Sequence, residues 1–191
     1  AGAADGLIKL WDVRQLSRGS PLWEIADEDP PERAGGKNWF RGDGESTAPT
    51  KRQRRGRGVV ALAMAPWGSS RIAAAYSDSH IAVFDLHGPA SGPRCHLRGH
   101  QGTSFYNKLA FSPEGTHVTS GSCDHHVYVW EVDRPLEPPA VLKGHTGEVV
   151  AVDWCPNDFT CLASCADDDT ARVWTVDRST LRDAARDGDA R

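Results

Sequence analysis

The sequence predicts an all-β fold made of repeated four-stranded antiparallel sheets. The first observation is the segment 98–144, where three apolar runs of strand length are separated by turns at 112–115 and 122–125. A fourth run, Ala140–Lys143, directly precedes a Gly-His pair like the one at residues 99–100. Short apolar runs bounded by Gly, Pro, Asp and Ser are typical of antiparallel strands. The segment therefore predicts one complete sheet.

The second observation is a repeat in this pattern. His100 and His145 are 45 residues apart, and Trp130 and Trp174 are 44 residues apart. An Asp lies six residues before each of these tryptophans. A period of about 40–45 residues with Gly-His and Trp-Asp-like marks is typical of β-propeller blades. We therefore predict an incomplete β-propeller of about three to four blades.

The first part of the chain contains the end of a blade and an interruption. Residues 1–14 end a blade, because Asp5-Gly6 is a hairpin turn signal and an apolar run follows it. Residues 15–57 are polar and rich in Gly and Pro, and they predict a disordered insertion. Within it, residues 22–25 are a candidate outer strand of the first blade. The basic run from Lys51 to Arg57 fits a nuclear-import signal or phosphate-binding patch and a solvated loop equally well.

The remaining segments follow the repeat. Residues 58–97 form a degenerate blade, with Phe84 at the Trp position and no preceding Gly-His pair. Residues 98–144 are the complete repeat. Residues 145–177 are the last repeat and lack an outer strand, and residues 178–191 are a polar tail. This order predicts the C-terminal part of a larger propeller.

Composition narrows the classes of function. The 191 residues carry a net charge of −4, which gives no general attraction to nucleic acids or membranes. The chain contains no apolar run of the length of a transmembrane helix. Five cysteines, an odd number, without a visible secretory signal favour reduced thiols in the cytosol or nucleus.

Three cysteines and two histidines in the last two repeats could be ligands of a zinc site or ordinary structural residues. Their spacing does not follow the usual paired Cys-x-x-Cys pattern. We therefore expect no metal site and no cofactor. The residues concerned are Cys155, Cys161, Cys165, His125 and His126.

The repeats resemble the WD-repeat family. In that family a loop His, a strand Ser or Thr, a turn Asp and a strand Trp form a buried hydrogen-bonded tetrad. The matching residues here are His100, Ser120, Asp124 and Trp130 in one repeat, and His145, Ser164, Asp168 and Trp174 in the next. The resemblance implies that these Ser, His and Asp residues fix the shape of a blade, because an unpaired polar group in the core is costly. We therefore expect a non-catalytic protein.

Several segments resemble one subfamily more closely, namely the WD-repeat substrate receptors of cullin-RING ubiquitin ligases that remove replication-licensing factors. These segments are 99–106, 121–124, 128–130, 144–149, 153–156 and 164–168. The resemblance implies a subunit that links a ligase adaptor, and through it a cullin, to degron-bearing substrates, with or without a sliding clamp on DNA. It also implies a role in the cell cycle and DNA replication and a location in the nucleus, alone or together with the cytoplasm. The alternative is a WD-repeat scaffold of another nuclear complex.

The same resemblance assigns the adaptor contact to the Trp-Asp-x-Arg motif, here Trp11, Asp12 and Arg14. An Arg just beyond a strand can project from the rim of a propeller, and its guanidinium can bind a partner carboxylate or carbonyl. The other blades do not repeat this Arg. The alternative is that Arg14 only pairs with a neighbouring carboxylate.

A substrate contact is the second candidate site. Asp167 and Asp169 flank the tetrad residue Asp168, and the three carboxylates are consecutive. Because only Asp168 has a role in the tetrad, the two flanking residues could bind a basic residue of a degron. The alternative is a solvated acidic turn. Direct binding of nucleic acid is expected only through Lys51 to Arg57.

Overall fold

The computed structural model describes residues 5–27, 58–66, 68–87, 92–102 and 108–175. Within these residues the protein is all-β and contains four antiparallel sheets, as the repeat predicts. The basic run from Lys51 to Arg57 and the polar tail at 178–191 lie outside the described residues. No helix among the described residues has the length and hydropathy that crossing a bilayer requires.

Each sheet is an antiparallel meander whose strands follow chain order. The first sheet contains β1 (Leu7–Leu10) and β2 (Trp23–Ala26), with a 3-10 helix at Val13–Arg18 between them. The second contains β3 (Val59–Met64), β4 (Arg71–Tyr76), β5 (His80–Asp85) and β6 (Cys95–Arg98). The third contains β7 (Leu109–Phe111), β8 (His117–Gly121), β9 (His126–Glu131) and β10 (Ala140–Lys143). The fourth contains β11 (Val149–Trp154), β12 (Cys161–Ala166) and β13 (Thr170–Thr175).

Within the predicted insertion at 15–57, the candidate outer strand at 22–25 is present with a shift of one residue. Residues 23–26 form strand β2 and pair in register with β1, so that Ile8 lies opposite Ile25. Both side chains are only 2% exposed. This buried apolar pair stabilises the strand, although the average composition of the wider segment is polar. Residues 28–57 of the predicted insertion lie outside the described residues.

The turns that directly precede β1, β5, β9 and β13, one in each sheet, have the same backbone shape, and we call them hairpins. Each hairpin contains an Asp followed by a residue with left-handed φ, and φ is between 60° and 76°. These Asp and left-handed residues are Asp5 and Gly6, Asp78 and Ser79, Asp124 and His125, and Asp168 and Asp169. We call the edge of the molecule that these four hairpins occupy the hairpin rim. Strands β1, β5, β9 and β13 begin at the hairpin rim, and we call the edge where they end the opposite rim.

Contacts place the hairpins of the second, third and fourth sheets on one rim, and the contact of Asp27, beside the start of β1, with His80 places the turn of the first sheet there too. Ser79 Oγ accepts a hydrogen bond from the backbone N–H of Gly102 at 2.9 Å, and the N–H of Cys123 donates to the carbonyl of Gln101 at 2.9 Å. In the fourth sheet, the N–H of Asp167 donates to the carbonyl of Glu148 at 2.9 Å. Each loop that enters a sheet therefore packs against the hairpins beside it.

Three apolar clusters lie between successive sheets. The first joins the first and second sheets and includes Ile8, Ile25 and Phe84. The second joins the second and third sheets and includes both small side chains, Ala73 and Ala75, and the large ring of Trp130. The third joins the third and fourth sheets. The sheets thus stack face to face, which is the packing of propeller blades.

Candidate functional site

The fourth sheet contains a continuous chain of hydrogen bonds at the positions of the predicted tetrad. Trp174 Nε1 donates to Ser164 Oγ at 2.8 Å, and His145 Nε2 lies 2.8 Å from the same oxygen. His145 Nδ1 lies 2.9 Å from Asp168 Oδ2. A proton on His145 Nδ1 satisfies all four groups, because Ser164 can then donate to Nε2 while it accepts from Trp174. The four side chains tie two strands and the incoming loop together.

Asp168 is the anchor of this arrangement. Its carboxylate accepts hydrogen bonds from Thr170 Oγ1 at 2.6 Å and from the backbone N–H of Thr146 at 2.9 Å. The bonds from Thr170, Thr146 and His145 hold the pKa of Asp168 far below its ordinary value. The carboxylate is therefore ionised and committed to the fold at neutral pH.

The corresponding tetrad in the third sheet does not form, and this part of the prediction needs correction. Trp130 Nε1 donates to the carbonyl of Arg98 at 2.9 Å, and Ser120 Oγ donates to the carbonyl of Gly121 at 2.9 Å. His100 packs edge-on against Trp130, with ring centroids 5.3 Å apart, and its Nδ1 has no hydrogen-bond partner in the part of the chain that the structure describes.

A competing donor explains the difference between the two sheets. Tyr128 precedes Trp130 by two residues, and its hydroxyl donates to Asp124 Oδ2 at 2.6 Å. The position equivalent to Tyr128 in the fourth sheet is Arg172, two residues before Trp174. Asp124 is thus occupied by Tyr128 instead of by the loop His. The bond raises the pKa of Tyr128, together with burial as the larger cause, to about 12.

His100 is therefore a buried imidazole without a carboxylate partner. Burial is the main cause that lowers its pKa to about 4. His100 is consequently neutral at physiological pH and acts as an apolar ring in the core.

Arg14, the candidate adaptor-binding residue, lies on the opposite rim, beyond the end of β1. Its side chain is 86% exposed. The guanidinium forms a fork with the carboxylate of Asp12, with Nε to Oδ1 at 3.2 Å and Nη2 to Oδ2 at 3.4 Å. These bonds hold the pKa of Asp12 below its ordinary value. The local pairing that we considered as the alternative is present, and it leaves most of the guanidinium open to solvent.

The residues equivalent to Arg14 in the next two sheets are already paired. His87 Nε2 lies 2.5 Å from Ser70 Oγ. Asp133 accepts from Arg94 at 2.9 Å and from Arg71 at 3.4 Å. These ion pairs join the second and third sheets and border a groove of about 650 Å³. At this rim the side chain of Arg14 is 86% exposed, against 48% for the equivalent Asp133.

The candidate substrate-facing residues lie at the hairpin rim. Asp167 and Asp169 are both exposed, while Asp168 between them is committed to the tetrad. Asp169 has φ of 60° and forms the tip of its hairpin. The structure therefore places the two carboxylates in solvent on the rim opposite to Arg14.

A group of potential metal ligands lies between the first and second sheets, and it was not predicted from the sequence. It contains Asp27, His80 and His96, whose potential ligand atoms all lie within 4.8 Å of one another. The five residues that we weighed as a zinc site form no such group among the described parts of the chain, and all five cysteines are free thiols. His96 precedes Leu97 in β6, and Asp27 is distant in sequence, so no short motif could have revealed the cluster.

Comparisons with known proteins agree with this architecture. The WD domain, G-beta repeat family matches residues 91–131 and 136–175. The chain is 37% identical over 179 residues to denticleless protein homolog A of Xenopus laevis, and the match covers 94% of this chain and 23% of that protein. It is 36% identical over 178 residues to the human denticleless protein homolog, with 93% and 22% covered. It is also 29% identical to protein lethal(2)denticleless of Drosophila melanogaster.

The chain thus spans less than a quarter of the length of these curated relatives. A crystal structure of the mitotic checkpoint complex contains a chain with the same fold, at a TM-score of 0.63 and 22% identity. This match covers 91% of the present chain and 43% of the other. The predicted incomplete all-β propeller, the resemblance to the WD-repeat family and the similarity to denticleless proteins are confirmed.

Proposed function

Because this chain carries WD repeats and is similar to the denticleless proteins over 94% of its length, we propose that it is part of a substrate-recognition subunit of a cullin-RING ubiquitin ligase. In this role it binds the ligase adaptor with one rim and a degron-bearing substrate with the other. The ubiquitin transfer itself belongs to the other subunits of the ligase.

The observation that carries the proposal is the exposure and orientation of Arg14. The fork to Asp12 fixes the guanidinium at the edge of the rim while 86% of the side chain remains accessible. A pre-oriented Arg loses less conformational entropy on binding than a mobile one, and its planar group suits carboxylates and carbonyls of a partner. Arg residues buried by a partner are frequent hot spots, with losses of about 2 kcal/mol or more on truncation.

The proposal assigns the substrate to the hairpin rim. Asp167 and Asp169 offer two exposed carboxylates there, which suit a Lys or Arg of a degron. A substrate on this rim and an adaptor on the other do not compete for the same surface. Replacing both residues by Asn should weaken the binding of a basic degron peptide and leave the binding of the adaptor unchanged.

The test is the affinity of the purified chain for the ligase adaptor, measured for the native chain, for Arg14→Ala and for Arg134→Ala. Arg134 is a matched control, because it follows the third strand of another sheet and its side chain is 55% exposed. We expect Arg14→Ala to weaken binding about 30-fold, which corresponds to about 2 kcal/mol. We expect Arg134→Ala to bind like the native chain.

Equal binding of both variants and the native chain would assign the contact to another surface. If the folded native chain did not bind the adaptor, the scaffold of another nuclear complex would replace the proposal. The proposed function also places the protein in the nucleus, which the distribution of a fluorescent fusion would report.

A further inference from the structure

We propose that Asp27, His80 and His96 form a binding site for one transition-metal ion of the zinc type, which joins the first and second sheets. Each residue offers one ligand atom, and these atoms lie within 4.8 Å of one another. Two imidazoles and one carboxylate are ligands that Zn²⁺ prefers in proteins. The inference is independent of the ubiquitin-ligase proposal.

Strand register brings the two histidines together. His80 is the first residue of β5, where it pairs with Arg98, and His96 lies two residues before Arg98 on β6. Residues related in this diagonal way lie on the same face of a sheet and are within reach of long side chains. The two rings are accordingly 5.7 Å apart between centroids. Their ligand atoms are therefore held by the hydrogen-bonded backbone of a single sheet.

The carboxylate comes from the neighbouring sheet. Asp27 directly follows β2, and its Oδ2 lies 2.7 Å from His80 Nε2. Its Oδ1 lies 3.6 Å from His96 Nε2. The two oxygens of one carboxylate thus face the two imidazoles, and the two distances lie on either side of the separation of about 3.3 Å that ligands have around a tetrahedral ion with bonds of about 2.0 Å.

Burial makes the cluster unlike a surface ion pair. The side chains of His80 and Asp27 are 1% and 3% exposed, and Asp27 Oδ1 accepts no hydrogen bond from the residues that the structure describes. A buried carboxylate oxygen without a partner is costly and often indicates a water molecule or an ion. A cation at the centre of the cluster would satisfy this oxygen.

A second carboxylate orients the central ligand. His80 Nδ1 is hydrogen-bonded to Asp78, which turns Nε2 toward Asp27. Tyr76 stacks on the His80 ring with centroids 4.5 Å apart and planes only 2° from parallel. A carboxylate on the outer nitrogen of a histidine is the arrangement that fixes the tautomer in metal sites. The ring is therefore held in a geometry suited to a metal ion.

The experiment uses the purified chain after treatment with a chelator and its removal. Calorimetric titration with Zn²⁺ should show one tight site per chain, and the ion should raise the melting temperature. Asp27→Asn and His96→Gln should each weaken binding at least tenfold. Asp78→Asn should weaken it about 10–100-fold through the orienting bond. His126→Gln is the matched control, because His126 also lies beside a carboxylate but outside the cluster.

The free cysteines require a separate readout, which Co²⁺ provides. Cobalt in the proposed site should show visible d–d bands without the near-ultraviolet charge-transfer band of a thiolate ligand. A thiolate band at the tight site would overturn the proposal, as would the absence of Zn²⁺ and Co²⁺ binding or unchanged binding in both Asp27→Asn and His96→Gln. The cobalt spectrum needs only the native chain, so it tests the proposed ligands even if a variant does not fold.

Discussion

The hydroxyl of Tyr128 donates a 2.6 Å hydrogen bond to the carboxylate of Asp124. This bond is the difference between two repeats that have His, Ser, Asp and Trp at the same positions. In the fourth sheet the equivalent carboxylate of Asp168 binds His145. The geometry of a tetrad therefore depends on which donors compete for its carboxylate.

Tyr128→Phe should destabilise the chain by about 1–2 kcal/mol, because hydrogen bonds to charged groups contribute more than neutral ones. The urea dependence of unfolding measures this loss. If the freed Asp124 then pairs with His100, the pKa of His100 should rise, which its NMR titration would report. An unchanged unfolding free energy would contradict the assigned role of the hydroxyl.

Two serines at equivalent positions should differ in their response to truncation. Ser164→Ala leaves Trp174 Nε1 and His145 Nε2 without their shared partner, and we expect a loss of about 2–3 kcal/mol. Ser120→Ala removes only a bond to the adjacent carbonyl of Gly121, so a loss below about 1 kcal/mol is expected. Equal losses in the two variants would mean that the tetrad does not stabilise the fourth sheet.

Much of this architecture follows from the sequence alone. Strand β10 (Ala140–Lys143) has the predicted limits, because turn residues bound this short apolar run on both sides. The pairing of Asp124 could not be derived in the same way, because it is decided by a competition between Tyr128 and His100 in space. The contact of Asp27 with His80 spans 53 residues of sequence, and no local pattern reports such a contact.

Acid should weaken the fold through His100. Burial lowers the pKa of His100 from 6.5 to about 4 in the folded state, so the unfolded chain binds this proton first as the pH falls. Stability is therefore present above pH 6.5 and is lost between about pH 6.5 and 4. From pH 8 to pH 5 the loss should be about 2 kcal/mol.

The measurement is the free energy of unfolding as a function of pH for the native chain, His100→Gln and the control His117→Gln. His100→Gln should show a flatter profile over this range, while His117→Gln should keep the native slope. Parallel profiles in all three proteins would show that His100 does not carry the acid sensitivity.

Gly121 should not tolerate a side chain. A Cβ at this position would overlap the carbonyl oxygen of Val149 and would lie 2.9 Å from its carbonyl carbon. Gly121→Ala must therefore push the third and fourth sheets apart, and we expect a loss of about 1–3 kcal/mol. Thermal unfolding measures it, with Ser120→Ala as a control in the same strand. A native melting temperature for Gly121→Ala would show that the two sheets can separate freely.

The four hairpins of the hairpin rim have a further consequence. Their common shape comes from the Asp carboxylate and the left-handed residue after it, as the φ values of Gly6, Ser79, His125 and Asp169 show. The side chain of this second residue does not define the turn, so its chemistry can differ between blades at little cost. The rim accordingly carries a hydrogen atom, a hydroxyl that accepts a hydrogen bond from Gly102, an imidazole and a carboxylate at four equivalent points. A partner that reads this row of groups could distinguish one blade from the next, although their backbones have the same shape.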